Sequence, residues 1–438
     1  MPEQNDIKNK LQSLLSQKGL MTGAAWKEQA ETTARQRAEG AFEIDRVLEG
    51  ETVGSEEDGF YRVQNEYPLD AFHGTERLGS VFEAIPEHLA FSACDSELDG
   101  FDPATACFID TETTGLAGGT GTVAFLVGIG YFTQDRFCLE QCFMRDYPDE
   151  EPMLQYLDER FQSVETVVSY NGKTFDLPLL RTRFIQNRIP FRLEGAVHFD
   201  LLHAARRFWR RRLQDCRLGA IETSILGVRR QGDIPSAEIP QIWLDYLRSR
   251  DARRLDSVFY HHRMDILSLV ALTGALSQSL AVAHDAGFSD CMDQISLVRV
   301  HYRQKQYDAV IQQGRRLLDA EAEPPLRREC LEMMGFASKR QGDYRTMEEI
   351  WQRLLEEFPQ DLIARHELAK HYEHRAQNLA EAARICEETL HFLDIRKQLS
   401  RNNPLDDGPV RAFQKRLERI RRKLGRRGGG FVEEQDPS

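Results

Sequence analysis

The chain is 438 residues long, 41% hydrophobic and 29% charged, with a formal net charge of −13. That length and apolar content suit more than one domain with a buried core, and the acidic balance excludes a protein that coats nucleic acid by bulk positive charge, so any such contact must be local. The N-terminal MPEQNDIKNKLQSLLSQKGL lacks the apolar stretch of a signal peptide, and no run approaches the ~18 apolar residues of a membrane span; a cytoplasmic chain with no membrane partner is expected. The eight cysteines are scattered. Cys138 and Cys142 in FCLEQCF have no second pair at zinc-finger spacing, and in an alternating strand they simply share a face.

Residues 1–95 are polar and read as an irregular N-terminal region, with acidic EGETVGSEEDG and a possible helix over Ile7–Leu20. From Thr105 the texture changes to apolar strands: ACFID, TVAFLVGIGYF and RFCLEQCFMRDY, then a helix EEPMLQYLDERFQ and a further strand ETVVSYN. Three strands, a helix and a strand predict an α/β domain with a mixed sheet over 96–284. Helices follow at Leu177–Asn187, Leu201–Leu213 and Ser257–Ala281.

Over 285–400 the pattern becomes short amphipathic helices. VRVHYRQKQYDAVIQQGRRLL, MGFASKRQGDYRTMEEIWQRLLEEFP and ELAKHYEHRAQNLAEAARICEETL can be superposed, at roughly the ~34-residue spacing of tetratricopeptide helix pairs. The segment resembles a short tetratricopeptide array; an unrelated helical bundle is the plainer alternative. Residues 401–438 hold a basic helix and a disordered tail. In that helix Phe413, Leu417, Ile420 and Leu424 form one stripe, which fits a capping helix with a solvated basic face as well as a nucleic-acid contact.

Two chemistries compete at ACFIDTETTGLAGGTGTVAFLVGIGYF. The Gly119–Ala124 segment matches a loose GxGxxA, but a dinucleotide loop must open a helix, and the β-branched and aromatic residues that follow predict a strand. A phosphate loop also fails, because Gly115–Thr122 contains no lysine. The glycines therefore read as a tight connection between paired strands. Asp110 and Glu112, two apart at the end of an apolar strand, leave the sheet on one face. Converging carboxylates repel, which a divalent cation relieves; an isolated pair would be two solvated acids in a turn.

This pair is not isolated, for Asn171-Gly172-Lys173-Thr174-Phe175-Asp176 and Tyr260-His261-His262-Arg263-Met264-Asp265 follow downstream. DxET, then NxxxFD, then His or Tyr shortly before a final Asp resembles the DEDD superfamily of 3′–5′ exonucleases with a ribonuclease-H-like fold, in particular a bacterial subgroup whose nuclease domain precedes tetratricopeptide repeats. The resemblance covers roughly residues 60–400. It implies hydrolysis with two Mg²⁺ or Mn²⁺ ions and release of nucleoside monophosphates from a 3′ end. It further implies that Asp110 bridges both ions, that Glu112 and Asp265 complete the water-activating site, and that Asp176 supports the leaving-group ion. Oxygen-only ligands suit hard Mg²⁺ or Mn²⁺ rather than zinc.

Each ligand has a plainer reading. Asp176 before LPLLRTRF fits a helix N-cap with Pro178 just inside the start, and Asp200 in HFDLLHAARRFW fits a cap as well as a metal-site role. Asp265 lies within the apolar DILSLVAL, where an unpaired carboxylate is expensive, so function is favoured. The chain departs from the family at the base, since one branch has His five residues before the last Asp and another has Tyr four before it, and here Tyr260 and His261 hold the reverse positions. On a helix, four residues return to within about 40° of the same face and five leave about 140°. His261 is therefore the expected water-positioning base, and His262 is expected at the surface.

By resemblance Thr113, Thr114, Asn171 and Phe175 hold the terminal nucleotide by hydrogen bonding and stacking. In Arg206–Arg212, Phe208 and Trp209 read as core, while the arginines, Arg207 among them, read as phosphate contacts. The expected partners are single-stranded DNA or RNA ends, and a protein bound through the repeats. A different class stays open, an interaction scaffold whose nuclease fold is inactive, although all four carboxylates being present counts against it.

Overall fold

A computed structural model describes residues 42–115, 121–399 and 407–428. The helix expected over Ile7–Leu20, part of the glycine connection and the tail past Gly428 lie outside the described residues. The chain divides into two compact units, one of residues up to Arg206 with Asp215–Gln278, the other of Arg207–Gln214 with residues from Ser279 on.

The first unit carries strands β1 (Glu51–Gly54), β2 (Gly59–Pro68), β3 (Phe72–His73), β4 (Glu76–Arg77), β5 (Ala106–Thr113), β6 (Ala124–Phe132), β7 (Arg136–Phe143), β8 (Thr166–Ser169) and β9 (Val197–Asp200). Seven of these build one sheet in the order β1-β2-β7-β6-β5-β8-β9, while β3 and β4 pair separately. Pairing is antiparallel from β1 to β5 and parallel for β5–β8 and β8–β9. Parallel neighbours need a crossover. The longer helices are α1 (Pro86–Ala93), α2 (Glu150–Arg160), α3 (Asp176–Gln186), α4 (Leu201–Phe208), α5 (Ile239–Ser249) and α6 (Leu255–Ala286), and α2 and α3 supply the two crossovers.

Central strands buried on both faces read as continuous apolar runs, and Phe108, Ile109, Phe125, Leu126, Val127, Val167 and Val168 are fully buried. The Trp243 ring of α5 stacks on Phe125, with centroids 4.9 Å apart and planes 7° apart, and its indole N–H donates to the Met144 carbonyl at 2.9 Å. Helix α6 is long and apolar enough to cross a membrane, yet 78% of its most apolar window is buried inside the protein. It is built as a core helix.

Two expectations are corrected. Residues 42–95 are not irregular: β2 joins the main sheet along β7, with Phe60, Tyr61 and Val63 buried. Its outer half alternates polar and half-buried residues, so it lacks the apolar run that marks the central strands. The helix expected over Leu201–Leu213 is interrupted after Phe208 and resumes at Arg210; Phe208 and Trp209 are core residues.

The second unit is all-helical among the described residues: α7 (Cys291–Arg303), α8 (Tyr307–Asp319), α9 (Pro324–Gln341), α10 (Tyr344–Glu357), α11 (Leu362–His374), α12 (Leu379–Leu399) and α13 (Gly408–Gly428). Asp290, Asp343 and Asp361 cap α7, α10 and α11 by accepting from backbone N–H groups. Gly335 lets Trp351 pack against α9, since a Cβ there would lie 2.6 Å from the indole. On α13 Phe413, Leu417 and Ile420 are buried and Leu424 is 38% exposed, while Arg416, Arg419 and Lys423 converge on the buried Glu373.

Candidate metal centre

The site forms where β5 ends. Asp110 and Glu112 alternate with Thr111 and Thr113, so the two carboxylates share the half-buried face and the threonines are buried on the other. Asp110 pairs in register with Gly128 of β6, and the ladder shifts between Glu112 and Thr113. Gly128 is required by packing, because a Cβ would lie 2.2 Å from Ile266 Cδ1 and 2.4 Å from His262 Cε1. Its absence lets α6 lie on the sheet and brings Asp265 to the carboxylate pair.

His262 corrects the expectation of a surface residue, for it is wholly buried. Gln141 Nε2 donates to His262 Nδ1 at 3.0 Å, so the ring proton sits on Nε2, which donates to the Asp110 carbonyl at 3.1 Å. Burial pushes this histidine down to about 4, and it stays neutral as a strut between β5 and α6.

Asp176 lies at the first turn of α3 but does not cap it: the preceding Phe175 takes that position, and Asp176 accepts a short hydrogen bond from the Thr111 hydroxyl. Burial pushes it up to about 6, against the Thr111 bond. Asp110 and Glu112 are pushed well above the usual carboxylate range, first by burial and then by Asp265 and Asp176, with Arg230 opposing. Asp265 is raised by burial against Arg230 and His261. Asp265 and Asp176 thus both act on the Asp110 and Glu112 carboxylates.

His261 faces the same neighbourhood. Its Nε2 lies 3.4 Å from Asp265 Oδ2, and donor atoms of Glu112, His261 and Asp265 fall within 4.8 Å of one another. The centre thus includes a nitrogen beside the oxygens, which the oxygen-only expectation omitted. Tyr260 turns its ring toward Arg263, whose guanidinium carbon lies 5.8 Å from the ring centroid.

Three residues of the surroundings were missed by sequence reasoning. The Arg230 guanidinium donates to Asp265 Oδ1 and binds Glu222 through Nε at 2.8 Å and Nη2 at 2.5 Å. Glu222 is buried at the start of a π-helical turn, Glu222–Leu226, an irregularity frequent at functional sites. Asp233 Oδ1 lies 2.8 Å from His261 Nδ1. Arg230 and Asp233 stand in the short polar RRQGD and Glu222 in IETSIL, and no periodicity singles them out.

The remaining expected residues are placed as follows. Asp200 clamps the Asn171–Lys173 turn, accepting from the backbone N–H of Asn171 at 2.8 Å, Lys173 at 3.1 Å and Leu202 at 3.1 Å; it is a cap and loop holder. Asn171 is exposed in the left-handed region, at φ 70°, and Phe175 is half-buried. Thr113 donates its hydroxyl to the Gly115 carbonyl at 3.2 Å, and Thr114 accepts from Val123 N–H at 3.1 Å, so both shape the loop mouth. Arg207 is half-buried and belongs to the second unit. Cys138 and Cys142 are buried free thiols.

The chain is 29% identical over 332 residues to the uncharacterized protein YprB of Bacillus subtilis (strain 168), spanning 74% of this chain and 79% of that protein. Among solved structures, the family B DNA polymerase from the hyperthermophilic archaeon Pyrobaculum calidifontis overlaps with a TM-score of 0.32 and 15% identity, over 56% of this chain and 30% of the polymerase. Residues 107–277 match the model of the RNase H superfamily, so the mixed seven-stranded sheet with its flanking helices is a ribonuclease-H-like fold, followed by an all-helical region.

Proposed function

We propose that this chain is a two-metal-ion 3′–5′ exonuclease that hydrolyses phosphodiester bonds at single-stranded DNA or RNA ends. The reading is supported by the grouping of Glu112 and Asp265 with His261 within 4.8 Å, with Asp110 two residues before Glu112 on the same strand face and Asp176 bonded to the intervening Thr111. A ribonuclease-H-like fold implies a nucleic-acid substrate, and the 3′–5′ polarity rests on the DxET, NxxxFD and HxxxD order of the motifs. The residues fit hard divalent cations, Mg²⁺ or Mn²⁺, because a buried acidic cluster without a neutralising charge is costly and its donors are mostly oxygens. Such ions, when bound, supply an activated water and stabilise the leaving oxygen.

The protein's own residues do the rest. Asp110, Glu112, Asp176 and Asp265 would hold the ions, Arg230 keeps Asp265 oriented, and His262 keeps α6 in register with β5. Thr113, Thr114, Asn171 and Phe175 are proposed to hold the terminal nucleotide, and Arg207 a phosphate further along the strand. The helical unit is proposed to bind a protein partner as a tetratricopeptide-like array, in the cytoplasm.

The full chain, incubated with a single-stranded oligonucleotide labelled at its 5′ end, should give a ladder shortening from the 3′ end in Mg²⁺ or Mn²⁺. Chelator and Glu112→Gln should each abolish it. Activity that survives chelator refutes the metal reading, and a folded wild-type chain that cleaves neither DNA nor RNA leaves the scaffold reading in its place.

A further inference from the structure

We infer that Nε2 of His261 is itself a ligand, so that Glu112, Asp265 and His261 form a mixed nitrogen–oxygen site that prefers Mn²⁺ to Mg²⁺. The inference rests on the reading of this site as a metal centre, and it replaces the water-positioning base expected from sequence.

Three observations lead to it. The first is the tautomer. Asp233 Oδ1 lies 2.8 Å from His261 Nδ1, and an ionised carboxylate only accepts, so Nδ1 carries the proton and the lone pair is on Nε2. The Asp233 contact is the shortest the ring makes and outweighs Arg230 Nη1, 3.4 Å from Nδ1, and Asp265 Oδ2, 3.4 Å from Nε2, while the Ser236 hydroxyl, 3.2 Å from Nε2, can donate to that lone pair.

The second is direction. His261 Nε2 faces the acids. It lies 3.4 Å from Asp265 Oδ2, and a Glu112 oxygen completes a group within 4.8 Å. Two ligands of one ion with bonds of about 2.1 Å must lie within about 4.2 Å of each other, so the His261–Asp265 pair already meets that limit. Three lone-pair donors facing one point repel unless a cation sits among them.

The third is support. Arg230 engages Asp265 Oδ1, which turns Oδ2 inward, and it is itself fixed by two bonds to the buried Glu222. Arg230 also reaches Asp233 Oδ2 at 3.3 Å, and the Ile234 N–H donates to Asp233 Oδ1 at 2.9 Å. The inward-facing atoms of His261 and Asp265 thus have their outer partners held, as in carboxylate–histidine–metal arrangements. An imidazole nitrogen draws the preference away from Mg²⁺ toward transition ions.

The test reads the metal rather than turnover. Pulsed electron paramagnetic resonance on the Mn²⁺-loaded full chain should show the coupling of a directly bound imidazole nitrogen, altered by ¹⁵N-histidine labelling and lost in His261→Ala. By calorimetry, His261→Ala should weaken Mn²⁺ binding about 10–100-fold while Mg²⁺ binding moves less than about threefold, and Asp233→Ala, which leaves the imidazole in place, should weaken Mn²⁺ binding in the same direction. Tight Mn²⁺ binding without nitrogen coupling, or equal losses for both ions, overturns the inference while leaving the nuclease reading standing. A wild-type chain that binds neither ion overturns the metal reading itself, and the inference with it.

Discussion

Gly128→Ala tests the packing that assembles the site. The new methyl would lie 2.2 Å from Ile266 Cδ1, 2.4 Å from His262 Cε1 and 2.9 Å from His262 Nε2. The Ile266 methyl can rotate away, whereas the His262 ring is held at both nitrogens by Gln141 and the Asp110 carbonyl. Relief must therefore come from α6 lifting off the sheet, which places the cost at the upper end of the ~1–3 kcal/mol typical of overpacking. For a unit of this size that corresponds to a fall in Tm of roughly 6–12 °C. The same displacement carries His261 and Asp265 away from Asp110 and Glu112, and a misplacement near 1 Å costs on the order of 10²-fold in rate. Thermal unfolding in chelator and single-turnover cleavage in Mn²⁺ measure the two effects. Gly219→Ala serves as the control, for a Cβ there meets nothing within 4 Å and should leave stability within about 0.5 kcal/mol. If Gly128→Ala matches wild type in Tm and rate, the close approach of α6 to β6 does not set the site's geometry.

Asp176→Asn should separate electrostatics from packing. Burial pushes Asp176 up to about 6, so the folded chain keeps a proton that the unfolded chain releases near pH 4, and the stability of the metal-free fold falls as pH rises from about 4 to about 6 and stays lowered above it. In chelator the variant should exceed wild type in Tm at about pH 7.5 and lose that advantage as pH falls through about 6 to below about 4, with the difference between proteins cancelling the buried histidines that titrate in the same window; an advantage unchanged across the range refutes the shift. Glu373→Gln should release α13: burial works to raise this acid, but Arg419 and Lys423 hold it at about 2, and Gln leaves those cations and Arg416 without their counter-charge. With Arg419 and Lys423 side chains 43% and 40% exposed, the loss should be nearer ~2 than ~5 kcal/mol, read as faster proteolysis within Gly408–Gly428; unchanged proteolysis refutes it.

Much of the centre was legible because its signals are local. Asp110 and Glu112 end an apolar strand at period two, and Asp265 stands one helical turn after His261 within an apolar helix, patterns that the backbone geometry of a strand or a helix dictates residue by residue. The same locality explains the recognition of β5, β6, β7, α2 and β8 as successive elements. Where the signal was weak, the reading failed: β2 mixes buried and exposed positions at a sheet margin, and Asp176 before a proline imitates a cap that Phe175 in fact occupies.

Sequence by itself therefore determined which carboxylates the protein has, in what order, and on which faces of their own elements, since those follow from period and burial within one segment. Only the tertiary structure decided their company. Arg230 meets Asp265 across 35 residues, Asp233 meets His261 across 28, and His262 meets Asp110 across 152. Such partners are single polar side chains in irregular loops or on a buried helix face. Nothing in a short window distinguishes them from solvated charges, because the free energy that selects them, the penalty of an unpaired buried charge, exists only once the sheet and α6 have excluded water.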